Sequence, residues 1–273
     1  MKIKSPVSPS LLIAFTAVFL LLFNNLSFYS NVIEVYPLSL ENLPFLISLA
    51  ALTTFVIIFL LSVVNSRYTL KPVLILILLL SSAASYFMDS YGIVIDEDML
   101  RNTFQTNLTE ASDLVNLKLI IHIVLFGVLP SFFVYQLKIK TETLNEAIIS
   151  KATTISLSIM MIVIIVFSFS KNYASFFREH KSLRFYTNPI FYIYSTGKYI
   201  SSTFAIKTHE ITPIGADAVL HSGKANPRLT IMVVGETARA DRFSLNGYSR
   251  KTNPLLEKEN VISFKDMSSC GTA

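Results

Sequence analysis

The chain is poor in charged residues and in cysteine, and each shortage excludes a class of protein. Only 15% of its 273 residues are Asp, Glu, Lys or Arg, whereas soluble domains carry about 25%. With a mean hydropathy of +0.55, this deficit excludes an ordinary soluble globule. Cys270 is the single cysteine, which excludes a disulfide scaffold. An aromatic content of 12% excludes a disordered chain.

The first 170 residues contain long apolar runs separated by clusters of charge. A membrane span needs about 20 apolar residues. Stretches without Asp, Glu, Lys or Arg that are this long, or nearly so, predict five transmembrane helices at 11–29, 45–64, 72–89, 119–137 and 153–170. The first run is too long for the apolar part of a signal peptide, so we expect an uncleaved anchor. Residues 1–171 are therefore predicted to form a five-span membrane domain.

Two residues interrupt the fourth predicted span. We expect His122 to be a neutral, hydrogen-bonded histidine of the bundle interior, and the alternative is a proton relay. We expect Pro130 to kink its helix, because proline removes one backbone donor and its ring crowds the preceding turn.

Basic residues in the short loops predict the orientation. One side of the membrane has seven of them and the other has two: Lys2, Lys4, Arg67, Lys71, Lys138, Lys140 and Lys151 against Arg101 and Lys118. The amino terminus is thus predicted to be cytoplasmic. After five spans, everything beyond Lys171 is predicted to lie outside, together with the loop 89–117.

The outer loop contains a candidate binding stripe. Residues 98–112 lack glycine and proline and are predicted to be helical. Asn102, Thr106 and Glu110 are spaced four residues apart, so they would share one face of that helix. Two neutral hydrogen-bonding groups and a carboxylate suit an ammonium-bearing lipid headgroup. The alternative is a solvated polar face.

Residues 172–227 are predicted to be interfacial helices followed by a linker. Positions 173–204 hold ten aromatic residues interleaved with basic ones, a composition typical of the lipid headgroup layer. We expect helices on the membrane surface, interrupted at Asn188–Pro189, and an irregular linker over 205–227. A stacking platform for nucleic acid has similar composition, but the predicted location outside the cell argues against a nucleic-acid partner.

Residues 228–273 are predicted to begin an α/β domain. Arg228–Gly235 is a β-branched, apolar run that ends in glycine, which is typical of a buried strand. Glu236 follows directly, at the carboxyl end of that strand, where α/β sheets place ligands and metals.

The stretch Val233-Val-Gly-Glu-Thr-Ala-Arg-Ala-Asp241, with its continuation to Pro254 and Ser269-Cys-Gly-Thr-Ala273, resembles the lipid A phosphoethanolamine transferases. These enzymes of the Gram-negative inner membrane confer resistance to polymyxin. The resemblance implies a membrane α-helical domain of five spans, followed by the N-terminal part of a periplasmic α/β domain of the alkaline-phosphatase and sulfatase type. It implies phosphatidylethanolamine and lipid A as lipid partners, and a monomer.

The same resemblance implies site residues. It makes Glu236 a zinc ligand and assigns the phosphoethanolamine headgroup to Asn102, Thr106 and Glu110. In the implied mechanism, a zinc-activated threonine takes phosphoethanolamine from phosphatidylethanolamine and passes it to lipid A.

The sequence departs from the family pattern at the catalytic threonine. The family places that nucleophile directly after Cys-Gly-Thr-small residue, which corresponds to a position 274 beyond Ala273. Thr272 lies two positions early and is not assigned the role. A zinc site needs about three protein ligands even when catalytic, so we expect Glu236 alone not to retain zinc. These 273 residues are therefore predicted to be an inactive N-terminal fragment of the transferase.

Three alternatives remain at this point. A glycerol-phosphate transferase of Gram-positive membranes shares five spans and a sulfatase-like domain. A transporter or other non-enzymatic membrane protein predicts paired charges or broken helices within the spans. A lipid-binding protein without turnover is the third.

Overall fold

The computed structural model describes residues 6–106, 112–204, 217, 229, 231–233, 239–259 and 261–264. The chain divides into two compact units, Met1–Thr208 and His209–Ala273. The division lies between Thr208 and His209, within the predicted linker at 205–227. The predicted domain limits at 171 and 227 stay predictions.

The described part of the first unit consists of helices joined by short loops, with an isolated parallel bridge between Val7 and Ile139. Its α-helices are α1 Pro9–Phe23, α2 Leu26–Val35, α3 Leu43–Val64, α4 Leu70–Tyr91, α5 Glu97–Gln105, α6 Leu117–Ile123, α7 Leu129–Gln136, α8 Leu144–Ser168, α9 Ser170–Glu179 and α10 Ile190–Phe204. A π-helical turn, Val124–Val128, joins α6 to α7, and a 3-10 helix, Lys181–Tyr186, lies between α9 and α10.

Within the described residues, four helices are long and apolar enough to cross a membrane: α3, α4, the continuous Leu117–Gln136 and α8. The pair α1 and α2 is bent by 58° and gives a fifth span if it crosses as one. The predicted spans at 45–64, 72–89 and 119–137 are confirmed to within two residues. The predicted interruption at Asn188–Pro189 is confirmed as well, because α10 begins at Ile190.

The first span differs from its prediction as one helix over 11–29. Helix α1 ends at Phe23 and α2 begins at Leu26. The Asn25 side chain donates to the carbonyl of Leu20 at 2.9 Å and to that of Asn188 at 2.6 Å, and the Asn188 backbone N–H donates to Asn25 Oδ1 at 2.8 Å. These bonds connect the break between α1 and α2 to the backbone of Asn188. Asn188 lies far along the chain from Asn25, so the local hydropathy around the first span could not predict this break.

The fifth span also differs, because α8 begins at Leu144 and the prediction began at 153. Thr143 and Glu146 form a reciprocal capping box: Thr143 N–H donates to Glu146 Oε2 at 2.8 Å, and Glu146 N–H donates to Thr143 Oγ1 at 3.4 Å. Lys151 does not interrupt the helix, because its ammonium extends to the carbonyls of Val63 and Asn65 at 2.8 and 3.1 Å.

The irregularity around Pro130 is a π-helical turn in a continuous span. Val124–Val128 forms this turn directly before α7, and Pro130 occupies the first turn of α7. A wider turn accommodates a position where proline supplies no N–H.

Two hydrophobic clusters form the buried part of the bundle. One joins α1, α3 and α4 through residues such as Ala17, Ile57 and Leu74, and the other joins α2, α3 and α9 through residues such as Phe28 and Phe176. Many large apolar side chains of the spans remain exposed, as expected where lipid is the solvent. The helices thus bury one stripe and present the rest to the membrane.

The second unit is described at fewer positions. Short 3-10 helices occupy Ala240–Arg242, Ser244–Asn246 and Leu256–Lys258. The prediction of a buried strand at 228–235 is wrong for the residues that are described there: Ile231–Val233 have no regular secondary structure, and Ile231 and Val233 are 76% and 85% exposed. A strand needs a neighbouring strand for its hydrogen bonds, and no described residue of this unit belongs to one.

Candidate functional site

The helix of the outer loop, α5, begins and ends at defined caps. The Asp96 carboxylate accepts from the backbone N–H of Met99 at 2.8 Å, which fixes the start. The end is earlier than predicted, since α5 stops at Gln105 and Thr106 turns into extended backbone. The prediction of one continuous helix over 98–112 is therefore wrong.

Two of the predicted headgroup residues lie at the end of α5, and both are exposed. The backbone N–H and the hydroxyl of Thr106 both donate to the carbonyl of Asn102, at 2.8 and 2.7 Å. The Thr106 oxygen keeps its acceptor capacity, and the Asn102 side chain has no hydrogen bond to any other described residue. Glu110 lies outside the described residues, so a stripe through all three positions stays a prediction.

A charged cluster at the start of α5 was not foreseen from the sequence. Glu97 Oε1 accepts from Arg101 Nη2 at 3.0 Å and from the Ser202 hydroxyl at 2.7 Å, and Glu97 Oε2 lies 2.9 Å from Lys198 Nζ. The Glu97 side chain is only 15% exposed. We call Glu97, Arg101, Lys198 and Ser202 the Glu97 cluster. The i, i+4 spacing of Glu97 and Arg101 was the only local signal of it, because Lys198 and Ser202 come from α10.

The Glu97 cluster is charged at neutral pH. The hydrogen bond from Ser202, followed by that from Lys198, lowers the pKa of Glu97 below its ordinary value. The hydrogen bond to Glu97 raises the pKa of Lys198 in turn. Both directions favour the ionised pair, which joins α5 to α10.

Aromatic stacking reinforces the same joint. The rings of Phe104 on α5 and Tyr199 on α10 are 5.5 Å apart and nearly parallel, with 14° between their planes. Helix α5 is thus attached at both of its ends, by charge at Glu97 and by ring contact at Phe104. This attachment fixes the position of Asn102, which lies between them.

A cleft of about 520 Å³ lies where α4 ends and α6 begins, at the end of the bundle to which the α5 loop is connected. Its lining combines the tyrosines Tyr86 and Tyr91 with the cation of Lys118. The Tyr86 hydroxyl donates to Asn116 Oδ1 at 2.9 Å. Aromatic rings beside a cation are typical of the headgroup layer.

Polar groups also connect the helices just beneath this cleft. His122 Nε2 lies 3.0 Å from the Ser85 hydroxyl, which also donates to Asn24 Oδ1 at 3.1 Å. The expectation of a hydrogen-bonded histidine at 122 is confirmed. Further toward the end of α4, Asp89 accepts from the backbone N–H of Ser27 at 3.1 Å and from the Ser27 hydroxyl.

The predicted metal ligand, Glu236, lies outside the described residues, as do Cys270 and Thr272. Among the residues that are described, no group of three or more His, Cys, Asp or Glu side chains could hold a metal ion. The described part of the chain therefore does not assemble the ligand set that zinc requires.

Asp241, within the same sequence stretch, is engaged locally. Arg239 donates to both of its carboxylate oxygens, from Nε at 3.0 Å and from Nη2 at 2.8 Å. This bidentate pair lowers the pKa of Asp241.

Comparison with known families gives two matches. Residues 53–204 match the family described as phosphoethanolamine transferase EptA/EptB. Residues 228–273 match the sulfatase family. The sulfatase match supports a fold in which a membrane α-helical domain is followed by the N-terminal part of a sulfatase-like α/β domain.

Similar proteins include phosphatidylethanolamine transferase Mcr-2 from Escherichia coli, 41% identical over 98% of this chain and 50% of the relative. Phosphoethanolamine transferase EptA from Escherichia coli K12 is 34% identical over 91% of this chain and 46% of its own length. This chain spans about half the length of these curated relatives.

A solved structure has the same fold. It is the integral membrane protein lipooligosaccharide phosphoethanolamine transferase A (EptA) from Neisseria meningitidis, 28% identical with a TM-score of 0.81 over 94% of this chain and 48% of that one. The family match covers more than half of this chain, and the relatives agree with it. The chain therefore belongs to the EptA/EptB family of phosphoethanolamine transferases.

Proposed function

We propose that this chain supplies the membrane domain and the start of the sulfatase-like domain of an enzyme that transfers phosphoethanolamine from phosphatidylethanolamine to lipid A. Residues 1–171 form the membrane domain, 172–227 the interfacial helices and linker, and 228–273 the beginning of the catalytic domain. Membership of the family supports this proposal. The structural observation that carries it is the attachment of α5 to α10, which fixes the position of Asn102 on the outer loop.

The ethanolamine end of the donor lipid is proposed to bind at α5. Its ammonium group has three N–H donors, which need acceptors. The Asn102 amide oxygen and the Thr106 hydroxyl oxygen both lie at the exposed end of α5 and are able to accept. Glu110 would add a carboxylate, which gives a stronger, charge-assisted hydrogen bond to the ammonium.

A metal ion is proposed for the complete enzyme, with Glu236 as one of its ligands and zinc as the ion. The match of residues 228–273 to the sulfatase family supports a metal in general. Bound there, the ion would neutralise charge on the phosphoryl oxygens.

The proposed location is the inner membrane of a Gram-negative bacterium. The amino terminus is cytoplasmic, whereas α5 and the residues after α8 are periplasmic. The excess of basic residues in the loops at the opposite end supports this orientation. The protein is proposed to act as a monomer on membrane lipids, without nucleic acid.

The transporter alternative predicts paired charges or broken helices within the spans, and among the described residues a broken helix is present but paired charges are not. All ion pairs between described residues lie outside the candidate spans. The break between α1 and α2 is a feature that transporters also have, but here the Asn25 side chain and the carbonyl of Asn24 are hydrogen-bonded to Asn188. The glycerol-phosphate alternative is replaced by the family that the comparisons identify.

The test compares two lipids that differ at the headgroup nitrogen, which carries N–H groups in one lipid and methyl groups in the other. Nanodiscs of phosphatidylethanolamine and of phosphatidylcholine are compared, because the choline headgroup has no N–H. We expect phosphatidylethanolamine to slow amide hydrogen exchange in α5 and phosphatidylcholine not to do so. Asn102→Ala and Thr106→Ala should each weaken the affinity for phosphatidylethanolamine about tenfold, as expected for a lost hydrogen bond to a charged group. The slowing of exchange in α5 should fall accordingly.

Thr103→Ala is the matched control. Thr103 lies on the same helix, is exposed, and its hydroxyl also donates to the carbonyl four residues earlier, at 2.7 Å. We expect this variant to keep the response to phosphatidylethanolamine. Equal protection by both lipids, or an equal loss in Thr103→Ala and Thr106→Ala, would refute binding of the headgroup at the end of α5.

A further inference from the structure

Two adjoining clefts lie at the end of the bundle opposite α5, where α4 begins and the span Leu117–Gln136 ends. The larger has a volume of about 840 Å³. Its rim carries the cations of Arg67, Lys71 and Lys138, and its wall includes the apolar side chains of Ile75 and Leu137. The smaller, of about 410 Å³, shares Arg67 with it.

The charge of the larger cleft is not balanced within the described structure. No Asp or Glu that the structure describes lines it. Arg67 and Lys138 are exposed, and neither forms an ion pair with another described residue. Lys71 differs, because its ammonium donates to the carbonyl of Tyr135 at 2.8 Å and lies 5.8 Å from the centre of that ring. Two cations are therefore available to a ligand.

Both available cations lie on backbone that is already fixed. The segment of Lys138 is paired with Val7: Val7 N–H donates to the carbonyl of Lys138, and Lys140 N–H donates to the carbonyl of Val7, each at 2.9 Å. Arg67 lies in a turn closed by Ser66 and Thr69, whose backbone N–H groups donate to each other's hydroxyls at 3.0 and 3.2 Å. Such preorganisation reduces the entropy lost on binding.

We propose that this cleft binds an anionic phospholipid of the leaflet that it faces, with phosphatidylglycerol as the type. The lipid phosphate lies between Arg67 and Lys138, and an acyl chain lies along the wall formed by Ile75 and Leu137. The cleft is level with the ends of two spans, which is the depth at which headgroup and acyl chain meet. Basic pockets between spans are known to favour anionic headgroups.

Net charge separates this site from the one at α5. A zwitterionic headgroup brings an ammonium close to its own phosphate, and this ammonium is repelled by two uncompensated cations. Phosphatidylglycerol has no such ammonium. The lipid preferred by this cleft is therefore different from the donor lipid proposed for α5. Failure of the proposal for the cleft would leave the proposal for α5 intact, and the reverse also holds.

The experiment is native mass spectrometry of the purified chain in detergent, with phosphatidylglycerol or phosphatidylcholine added. We expect phosphatidylglycerol to be retained in preference, and the Arg67→Gln, Lys138→Gln double variant to bind it more weakly by about fivefold for each cation removed. Lys171→Gln, which removes an exposed cation on α9 away from the cleft, should leave retention unchanged. Arg67→Lys with Lys138→Arg should also retain the lipid.

Three results would overturn the proposal. One is equal retention of the two lipids by the unmodified chain, a comparison that depends on no variant. Another is an equal loss of phosphatidylglycerol in Lys171→Gln, which would indicate attraction by net charge alone. The third is complete displacement by millimolar glycerol 3-phosphate, which would show that a free phosphate suffices and that the apolar wall contributes nothing.

Discussion

Glu97 is a residue whose importance depends on its partners. It lies at the first position of α5, yet two of its three side-chain partners, Lys198 and Ser202, come from α10. Hydrophobic pattern and helix propensity carry no information about such a long-range pair. By contrast, the hydrogen-bonded state of His122 was predictable, because an isolated polar group within a span is costly unless it has a partner.

Neutralising Glu97 should release α5 from α10. A nitroxide attached at Gln105→Cys, in a Cys270→Ser background, reports the mobility of the end of α5 by electron paramagnetic resonance. We expect Glu97→Gln to increase this mobility, because the ion pair to Lys198 is lost. Asp98→Asn is the control, since Asp98 forms its ion pair with Arg101, and its effect on Lys198 of α10 is weaker than that of Glu97. Equal mobility in both variants would contradict the role assigned to Glu97.

The same label should respond to pH in a defined direction. A carboxyl group whose pKa is lowered by folding stabilises the folded arrangement at every pH above its ordinary, unfolded-state pKa. This contribution is lost as the pH falls through the lowered pKa. The pKa of Glu97 is lowered, and that of Lys198 is raised. The label should therefore stay immobile around neutral pH and become mobile only in acid below the ordinary glutamate range. A transition near neutral pH would be inconsistent with the cluster.

Asn188 is predicted to be important for stability. Its side-chain amide is fully buried and donates to the carbonyls of Asn24 and Ser81, at 3.1 and 2.8 Å. Asn188→Ala leaves both carbonyls with one donor fewer, which should lower the free energy of unfolding by about 1–3 kcal/mol.

Asn42→Ala serves as the comparison for Asn188. The Asn42 amide also donates to a backbone carbonyl, that of Pro37 at 2.9 Å, but in an exposed position. Denaturant unfolding in one detergent, followed by circular dichroism, should show a clear loss for Asn188→Ala and little change for Asn42→Ala. Equal stability of the two variants would show that the contacts of Asn188 do not stabilise the bundle.

At the scale of elements, the helices were more predictable than their limits. Four of the five predicted spans correspond to long helices because each contains a run of apolar residues. The break in the first span, by contrast, depends on Asn188, which comes from the region between α9 and α10. The start of α8 depends on a capping box, which is a local signal that a search for apolar runs passes over.

The close packing of α4 against the π-helical turn gives a test at the same scale. A Cβ atom at Gly127 would overlap the hydroxyl of Ser82 and lie 3.2 Å from Ser82 Cβ and 3.3 Å from a methyl group of Leu79. Gly127→Ala should therefore destabilise the protein by about 1–3 kcal/mol through overpacking.

Gly197→Ala is the matched substitution for Gly127. Gly197 also lies in a helix, α10, but beyond its chain neighbours and the backbone of its own helix, no described atom lies within 4 Å of the position where its Cβ would be. Alanine is the better helix former, so this variant should gain up to about 1 kcal/mol. Opposite signs in the two unfolding free energies are expected, and a loss of similar size in both would show that the close approach at Gly127 is unimportant.

At the scale of the whole molecule, the two ends of the bundle have different chemistry. One end carries α5, the Glu97 cluster and an aromatic cleft. The other carries cations around two clefts, of which the larger is lined by no described Asp or Glu. This contrast could be predicted from the distribution of basic residues along the sequence. The catalytic centre could be predicted only through family resemblance, because a metal site needs ligands from distant parts of a chain.

The central claim is the proposal that α5 faces the periplasm. Lys118 and Lys138 lie at the two ends of one continuous span, and both are exposed. Each is changed to cysteine in a Cys270→Ser background and treated in intact cells with a maleimide that crosses the outer but not the inner membrane. The account predicts rapid labelling of Lys118→Cys and labelling of Lys138→Cys only after the inner membrane is permeabilised. The reverse pattern would place α5 in the cytoplasm and contradict the account.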